Sequence, residues 1–210
     1  ARNYSPHRPW GQHYSYPFQV QPSMRSWHAE FVAGRCNDVQ SAYWRPKPGE
    51  EFYELAGDPF ELRNRAAEPQ HAARLALLRA ALRAEILATR DTGFIPEGMF
   101  QRLAGNRTIY EYARSEAYPL ERILDLADKA GDRDPVHLPA FIATLDDPHP
   151  VIRYWAATGC LILQDKAAPA KTKLRARLAD EWADVRVVAA EALAYFGEHE
   201  IGRASCRERV

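Results

Sequence analysis

The residues best suited to chemistry in this 210-residue chain lie at its start, in "RNYSPHRPWGQ", where His7 and Arg8 stand between Pro6 and Pro9. An imidazole and a guanidinium on a proline-stiffened loop offer a proton donor and a fixed cation to an anionic ligand. The same pair also suits a duller task, hydrogen-bonding loop carbonyls and a neighbouring carboxylate. Trp44, Arg45 and Lys47 in "YWRPKP" set an indole beside two cations, a group that either stacks on a sugar or anchors the loop by packing. Asp146 and Asp147 form a carboxylate pair, but within "DDPHP" they suit a solvated loop that caps the next helix. Cys36, Cys160 and Cys206 are widely spaced with no C-x-x-C pair, so neither a thiolate metal site nor a disulfide framework follows. The seven histidines form no H-E-x-x-H, and G-x-S-x-G, P-loop and G-x-G-x-x-G motifs are absent. No catalytic residue and no metal ligand is assigned; the candidate ligand-binding pair is His7 and Arg8.

Local patterns predict the elements that must position these residues. Residues 1–22 hold Pro6, Pro9, Pro17 and Pro22 among Tyr4, Trp10, Tyr14, Tyr16 and Phe18. Proline at that density argues against a helix, and the aromatic content argues for an ordered loop. "PSMRSWHAEFVAGR" reads as a short helix with Ser23 as its N-cap, Trp27 and Phe31 one turn apart, and Gly34 at its stop. "EFYEL" alternates as a short strand around Phe52, and "AGDP" is a turn. A long helix follows Pro69, with Leu75, Leu78, Leu82 and Ile86 as its apolar stripe and Gly93 beyond its end. Two brief helices come next, the second opened by a capping box at Thr108 and Glu111, and then an amphipathic helix through Leu120, Ile123, Leu124 and Ala127.

The last third repeats itself. "DPHPVIRYWAATGCLILQ" lies over "EWADVRVVAAEALAYFGE" at an offset of 33, pairing Ile152 with Val185, Arg153 with Arg186, Ala156 with Ala189 and Leu163 with Phe196. The preceding helices keep the offset, with Leu145 over Leu178. A two-helix period of this size is the mark of a solenoid. The Asp before each turn is placed to cap, and the Arg to reach such carboxylates. The second copy, D-x-x-V-R-x-x-A-A-x-A-L in type, resembles HEAT repeats, which implies a protein partner for this part. "IGRASCRERV", residues 201–210, matches no repeat and resembles translated vector sequence, so it is read as a non-native tail.

Composition narrows the classes. Lys plus Arg and Asp plus Glu both total 28, so the net charge is zero and nothing shows the basic excess of a nucleic-acid binder. No apolar run approaches the roughly 20 residues of a membrane span. Abundant Ala and Arg suit a GC-rich bacterial genome.

The first half resembles the C-terminal part of bacterial formylglycine-dependent sulfatases. "EEFYELAGDPFELRNRA" is similar to that family's closing E-x-L-Y-D-L-x-x-D-P-x-E-x-x-N-L-A, with Phe52, Tyr53, Glu54, Leu55, Asp58, Pro59, Glu61 and Asn64 on the pattern. Asn3, Tyr4, Pro6, Arg8, Pro9 and Trp10 fall on its N-Y/F-x-P-x-R-P-Y/W segment, and the likeness spans about residues 1–100. It implies an α+β to mainly α chain: a fragment of the sulfatase C-terminal subdomain, with short strands and a long helix, followed by the helical repeat. The implied divisions are 1–93 (sulfatase part), 94–134 (connecting helices), 135–200 (repeats) and 201–210 (tail). Ala1 is then a break inside a longer protein.

The implied parent is periplasmic or secreted and hydrolyses a sulfated glycan or an aryl sulfate. There a Cys or Ser in C/S-x-P-x-R matures to formylglycine beside a bound calcium. None of Cys36, Cys160 and Cys206 is followed by x-P-x-R, so the nucleophile and calcium ligands are expected upstream and this fragment is expected to bind neither group and to be inert. His7 and Arg8 would then approach the substrate. The competing class is a non-catalytic helical-repeat scaffold.

Overall fold

The computed structural model describes residues 1–11 and 15–196; His13, Tyr14, Cys206 and the segment 201–210 lie outside the described residues. The chain divides into two compact units, Ala1–Leu75 and a second beginning at Ala76.

The first unit is built from loops and three short helices, α1 (Ser15–Val20), α2 (Pro22–Val32) and α3 (Asp38–Ala42). Helix α1 corrects the expectation that residues 1–22 exclude a helix. Pro17 is its third residue, in the first turn, where a missing N–H removes no intrahelical bond. Helix α2 likewise opens on Pro22 with Gln21 at the cap position, so Ser23 lies inside the helix and caps nothing. Gly34 ends that segment in left-handed backbone (φ 69°), as the sequence suggests. Helix α3 opens with an Asn37–Gln40 capping box.

The expected α+β fold, with a strand near Phe52, is not what forms. Among the described residues there is no strand, only two isolated antiparallel bridges, Arg2 with Glu50 and Pro9 with Pro46. The N-terminal segment does run antiparallel to residues 43–51, through Asn3 N to Gly49 O at 2.9 Å, Glu51 N to Ala1 O at 2.9 Å and Lys47 N to Arg8 O at 3.4 Å. Pro6, Pro9, Pro46 and Pro48 each remove a ladder donor from this pair, so the hydrogen bonds never run consecutively. The Phe52 amide goes instead to the Asn64 side chain.

The second unit is helical. Its elements are most of α4 (Ala72–Thr89), then α5 (Phe100–Ala104), α6 (Ile109–Ala113), α7 (Leu120–Asp132), α8 (Leu138–Thr144), α9 (Pro150–Leu163), α10 (Lys171–Arg177) and α11 (Ala183–Ala194). Helix α4 follows a 3-10 turn at Pro69–His71, but only Leu75 and Ile86 of its expected stripe are buried; Leu78 and Leu82 face solvent. Arg83 ties α4 to α7, 2.7 Å from Asp125 and 3.4 Å from Asp128. The capping box at Thr108 and Glu111 opens α6, and Leu120, Ile123, Leu124 and Ala127 are all buried in α7.

Helix α9 is the centre, packed by α7, α8 and α11, and 13 of its 14 residues are buried. Small residues allow that approach: a Cβ on Gly159 would lie 2.6 Å from the Phe141 ring of α8. The α8–α9 and α10–α11 hairpins repeat at the expected period, each helix of the second starting 33 residues after its counterpart (171 against 138, 183 against 150).

The polar contacts repeat with them. Asp147 Oδ1 accepts from His149 N at 2.9 Å and Asp180 Oδ1 from Trp182 N at 3.0 Å, each just ahead of a helix. Arg153 donates to the Asp147 carbonyl at 2.9 Å and Arg186 to the Asp180 carbonyl at 2.8 Å. Between the hairpins, Arg153 grips Asp180 with two bonds of 2.8 and 2.9 Å, both side chains buried. Arg122 of α7 reaches Asp147 in the same sense.

Two outcomes follow for this unit. Gly159→Ala has to push Phe141 off its position and is expected to destabilise by about 1–3 kcal/mol, read by thermal unfolding, with part of the loss recovered by adding Phe141→Leu. His149 Nε2 lies 3.0 Å from Tyr112 Oη, whose hydroxyl donates to the Ala117 carbonyl at 3.0 Å, so the imidazole serves this joint as the neutral donor. Burial holds its pKa below the ordinary 6.5, against the opposing pull of the Ala117 carbonyl and Asp147. Protonation therefore favours the unfolded chain. Stability is complete above pH 6.5 and is lost as pH falls below it, until the depressed folded-state value is reached. Denaturant unfolding at about pH 7.5 and about pH 5 should show this loss, and His149→Gln should flatten it.

Candidate functional site

The sequence-predicted pair lies on a tight turn of the first unit. Arg8 N bonds Ser5 O at 3.2 Å, and the Arg8 carbonyl accepts from Lys47 N at 3.4 Å. His7 is half-buried and Arg8 exposed. This pairing sets the turn against the "YWRPKP" segment, so the two groups that the sequence offers as ligand-binding candidates come together in one place.

The structure then separates the members of the second group. Trp44 is an anchor: it is 8% exposed, with Phe18, Trp27, His28, Phe31 and Tyr43 rings all within 6.2 Å of it, centroid to centroid. Aromatic edges and faces interlock there, which holds α1, α2 and α3 against the loop that follows. Arg45 points to solvent and pairs with exposed Asp38 at 3.1 Å. Lys47 is buried except for 8% of its surface, and its ammonium sits over the Trp10 ring, 5.2 Å from the centroid. The exposed indole of the ribbon is thus Trp10, 44% accessible, beside exposed Arg8.

Beneath it lies a buried carboxylate that the sequence reading passed over. Glu51, 5% exposed, accepts hydrogen bonds from Asn3 Nδ2 and from the Tyr53 hydroxyl, the latter at 2.7 Å. Burial pulls the Lys47 pKa down while the nearby Glu51 charge pulls it up. Burial, followed by the Glu51 contact, raises Tyr53 well above the usual phenol value and keeps it a donor. Only the doublet "EE" before an aromatic residue hints at Glu51 in the sequence, and it does not say which Glu turns inward.

The residues of the closing pattern do their work in the backbone. Asp58 accepts from Leu62 N at 3.0 Å and Arg63 N at 2.8 Å, and these amides hold its carboxyl below the ordinary range. The chain reaches those amides by passing Glu61 through left-handed backbone (φ 53°), uncommon for a residue with a side chain. Asn64 then acts as a piece of strand: its Oδ1 accepts from Phe52 N at 2.9 Å while its Nδ2 donates to Glu50 O at 2.9 Å. Arg65 N returns to Phe52 O at 2.8 Å, and Arg65 pairs with Glu54 at 2.7 Å.

The remaining candidates are structural. Asp146 is taken by Lys173 at 2.6 Å and by Arg177 at 3.3 Å, which hold its carboxyl low. Cys160 is buried in α9, its thiol pushed up to about 12 by burial. No group of three His, Cys, Asp or Glu able to hold a metal occurs among the described residues. No described helix is long and apolar enough to cross a membrane.

Over 97 residues, 46% of its length, the chain is 32% identical to an ulvan-active sulfatase of Formosa agariphila. It covers 16% of that protein. The relation to a sulfatase is therefore partial in both chains. No family model matches the chain, and no solved structure matches it.

The Asn64 clasp can be tested without any activity. Asn64→Ala removes the partners of the Phe52 and Ala66 amides, and their hydrogen exchange is expected to accelerate by about tenfold while amides in α9 keep their protection.

Proposed function

We propose that this chain is the C-terminal region of a bacterial sulfatase that hydrolyses a sulfated glycan or an aryl sulfate, with divisions at 1–93, 94–134 and 135–200. The observation that carries this reading is the partial identity with an ulvan-active sulfatase. It is supported by the loop in which the closing-pattern residues Asp58, Glu61 and Asn64 each have a definite backbone task. The parent is a periplasmic or secreted enzyme whose formylglycine and calcium belong to a part outside this chain.

The described cysteines do not fit the formylglycine precursor. Cys36 is followed by Asn37-Asp38-Val39 and Cys160 by Leu161-Ile162-Leu163, so neither offers the Pro and Arg of the maturation motif. Cys160 is also held as a thiol by burial. No step of the hydrolysis is derived from these residues. What the chain contributes is recognition, with His7 and Arg8 approaching the anionic substrate. The paired helices after residue 135 form a HEAT-like module that binds another protein, and the 33-residue repetition of helices and of Asp–Arg contacts favours that second role.

The purified 210-residue chain is expected to release no sulfate from 4-nitrophenyl sulfate or from sulfated polysaccharide. The full-length gene product should release it and should carry C/S-x-P-x-R upstream of Ala1. Turnover by the chain alone overturns this reading, as does an upstream region without the motif.

A further inference from the structure

We infer that Trp10, backed by Lys47 and flanked by Arg8, is a stacking platform for a pyranose that carries an anionic substituent. This deepens the proposal above and rests on it for the choice of a sugar as ligand. Of the two roles the sequence leaves to Trp44, stacking or packing, the structure shows packing, because five other rings enclose it. Trp10 takes the stacking role on three observations.

First, the ring is 44% exposed on an ordered ribbon, held by the Pro9–Pro46 bridge and by Gly11 N to Tyr43 O at 3.4 Å. A large apolar ring kept at the surface by a stiff backbone loses little entropy when a flat ligand covers it. The C–H face of a pyranose is such a ligand, and an indole is the broadest surface available to it. Second, the Lys47 ammonium lies over the same ring, 5.2 Å from its centroid. It is there because its stem is buried, so the cation is fixed rather than swinging in solvent. A fixed ammonium over a partly exposed ring fits a sugar whose substituent is negatively charged.

Third, the charge is held in place from below. Glu51 is buried close to Lys47 but spends its carboxylate on Asn3 and Tyr53. The nearby Glu51 charge supports the charged form of Lys47 against its burial. Arg8, exposed on the adjoining turn, adds a second cation on the approach. A sulfate ester and a uronate carboxylate share this chemistry, and the measurement separates them.

The test is a titration of the 210-residue chain followed by the indole N–H resonances in a 15N-labelled sample, with Trp10 assigned by Trp10→Phe. The probes are glucose 6-sulfate, glucuronic acid, glucose and inorganic sulfate at millimolar concentrations. Glucose 6-sulfate is expected to shift the Trp10 resonance and to bind about tenfold tighter than glucose. Lys47→Met should erase that difference while leaving weak glucose binding in place. Followed through the backbone amides of Gly11 and Lys47, which the variants keep, Trp10→Phe should retain binding within about threefold, and Trp10→Ala should abolish it. A tighter response to glucuronic acid than to glucose 6-sulfate supports the platform and makes a uronate its anion. Inorganic sulfate binding as tightly as the sugar sulfate, or no response of Trp10 to any probe, overturns it. The two proposals fail separately. A silent Trp10 in a protein whose full-length form cleaves sulfate esters removes the platform alone, and a responding Trp10 with no sulfatase activity in the full-length protein removes the enzyme assignment alone.

Discussion

The arrangement of the second unit turns on one buried ion pair, Arg153 with Asp180. Taking both charges out of water costs several kcal/mol for each, and the attraction between them repays it only when every remaining donor and acceptor is used. Here they are used. Arg153 gives two bonds to the carboxylate and two to the carbonyls of Asp147 and Pro148. Asp180 also receives Trp182 N and Arg177. The pair joins helix α9 to the turn that starts α11, so it sets the spacing and tilt at which the second hairpin meets the first. Apolar packing of the Ala-rich faces would tolerate sliding; a bidentate bond between buried groups does not. The related contact from Arg122 to Asp147 shows α7 taking the place of an earlier hairpin's second helix.

The first unit meets the opposite problem, a shortage of backbone pairing. Its prolines prevent a ladder, so side chains stand in for missing strand neighbours. Asn3 bonds Pro48 O, Asn64 bridges Glu50 and Phe52, and Asp58 gathers two amides. An Asn side chain carries the same donor and acceptor as a peptide group, which is why it can complete a ribbon from the side. The cost is that most of this network is exposed and each bond contributes little alone. Local order then depends on the aromatic cluster around Trp44, the one place among the unit's described residues where large rings gather around a buried indole.

Much of the second unit was legible in the sequence because helices announce themselves through local patterns. The Thr108–Glu111 box and the Leu120–Ala127 face rest on spacings within a few turns, and the 33-residue repeat shows as one stretch of sequence laid over another. The stripe on α4 failed for a reason of the same kind: periodicity tells which residues share a face but not how much of that face is covered. Leu75 and Ile86 found partners, while Leu78 and Leu82 did not. The strand near Phe52 failed because alternation is only half of a strand; the other half is a partner backbone, and here an Asn side chain fills that place. Trp10 and Glu51 were illegible for a third reason. Whether an indole or a carboxylate is buried depends on distant residues, Lys47 for Trp10 and Asn3 for Glu51, which no local pattern reports.

These differences bear on what the chain can do chemically. A nucleophile needs a lowered pKa and access, and burial in α9 drives Cys160 the other way. A general acid or base needs a carboxylate or imidazole free to exchange a proton with substrate. Asp146, Asp147 and Asp180 are each committed to a cation or an amide inside the helical unit, and His149 is committed to Tyr112. The ribbon of the first unit presents a different set: an exposed guanidinium at Arg8 and a 44% accessible indole at Trp10, with the Lys47 ammonium over that ring. Cations fixed by a proline-stiffened backbone can attract and orient an anion. Inside the helical unit these carboxylates and the imidazole hold helices together, whereas the ribbon exposes a cation and an aromatic face.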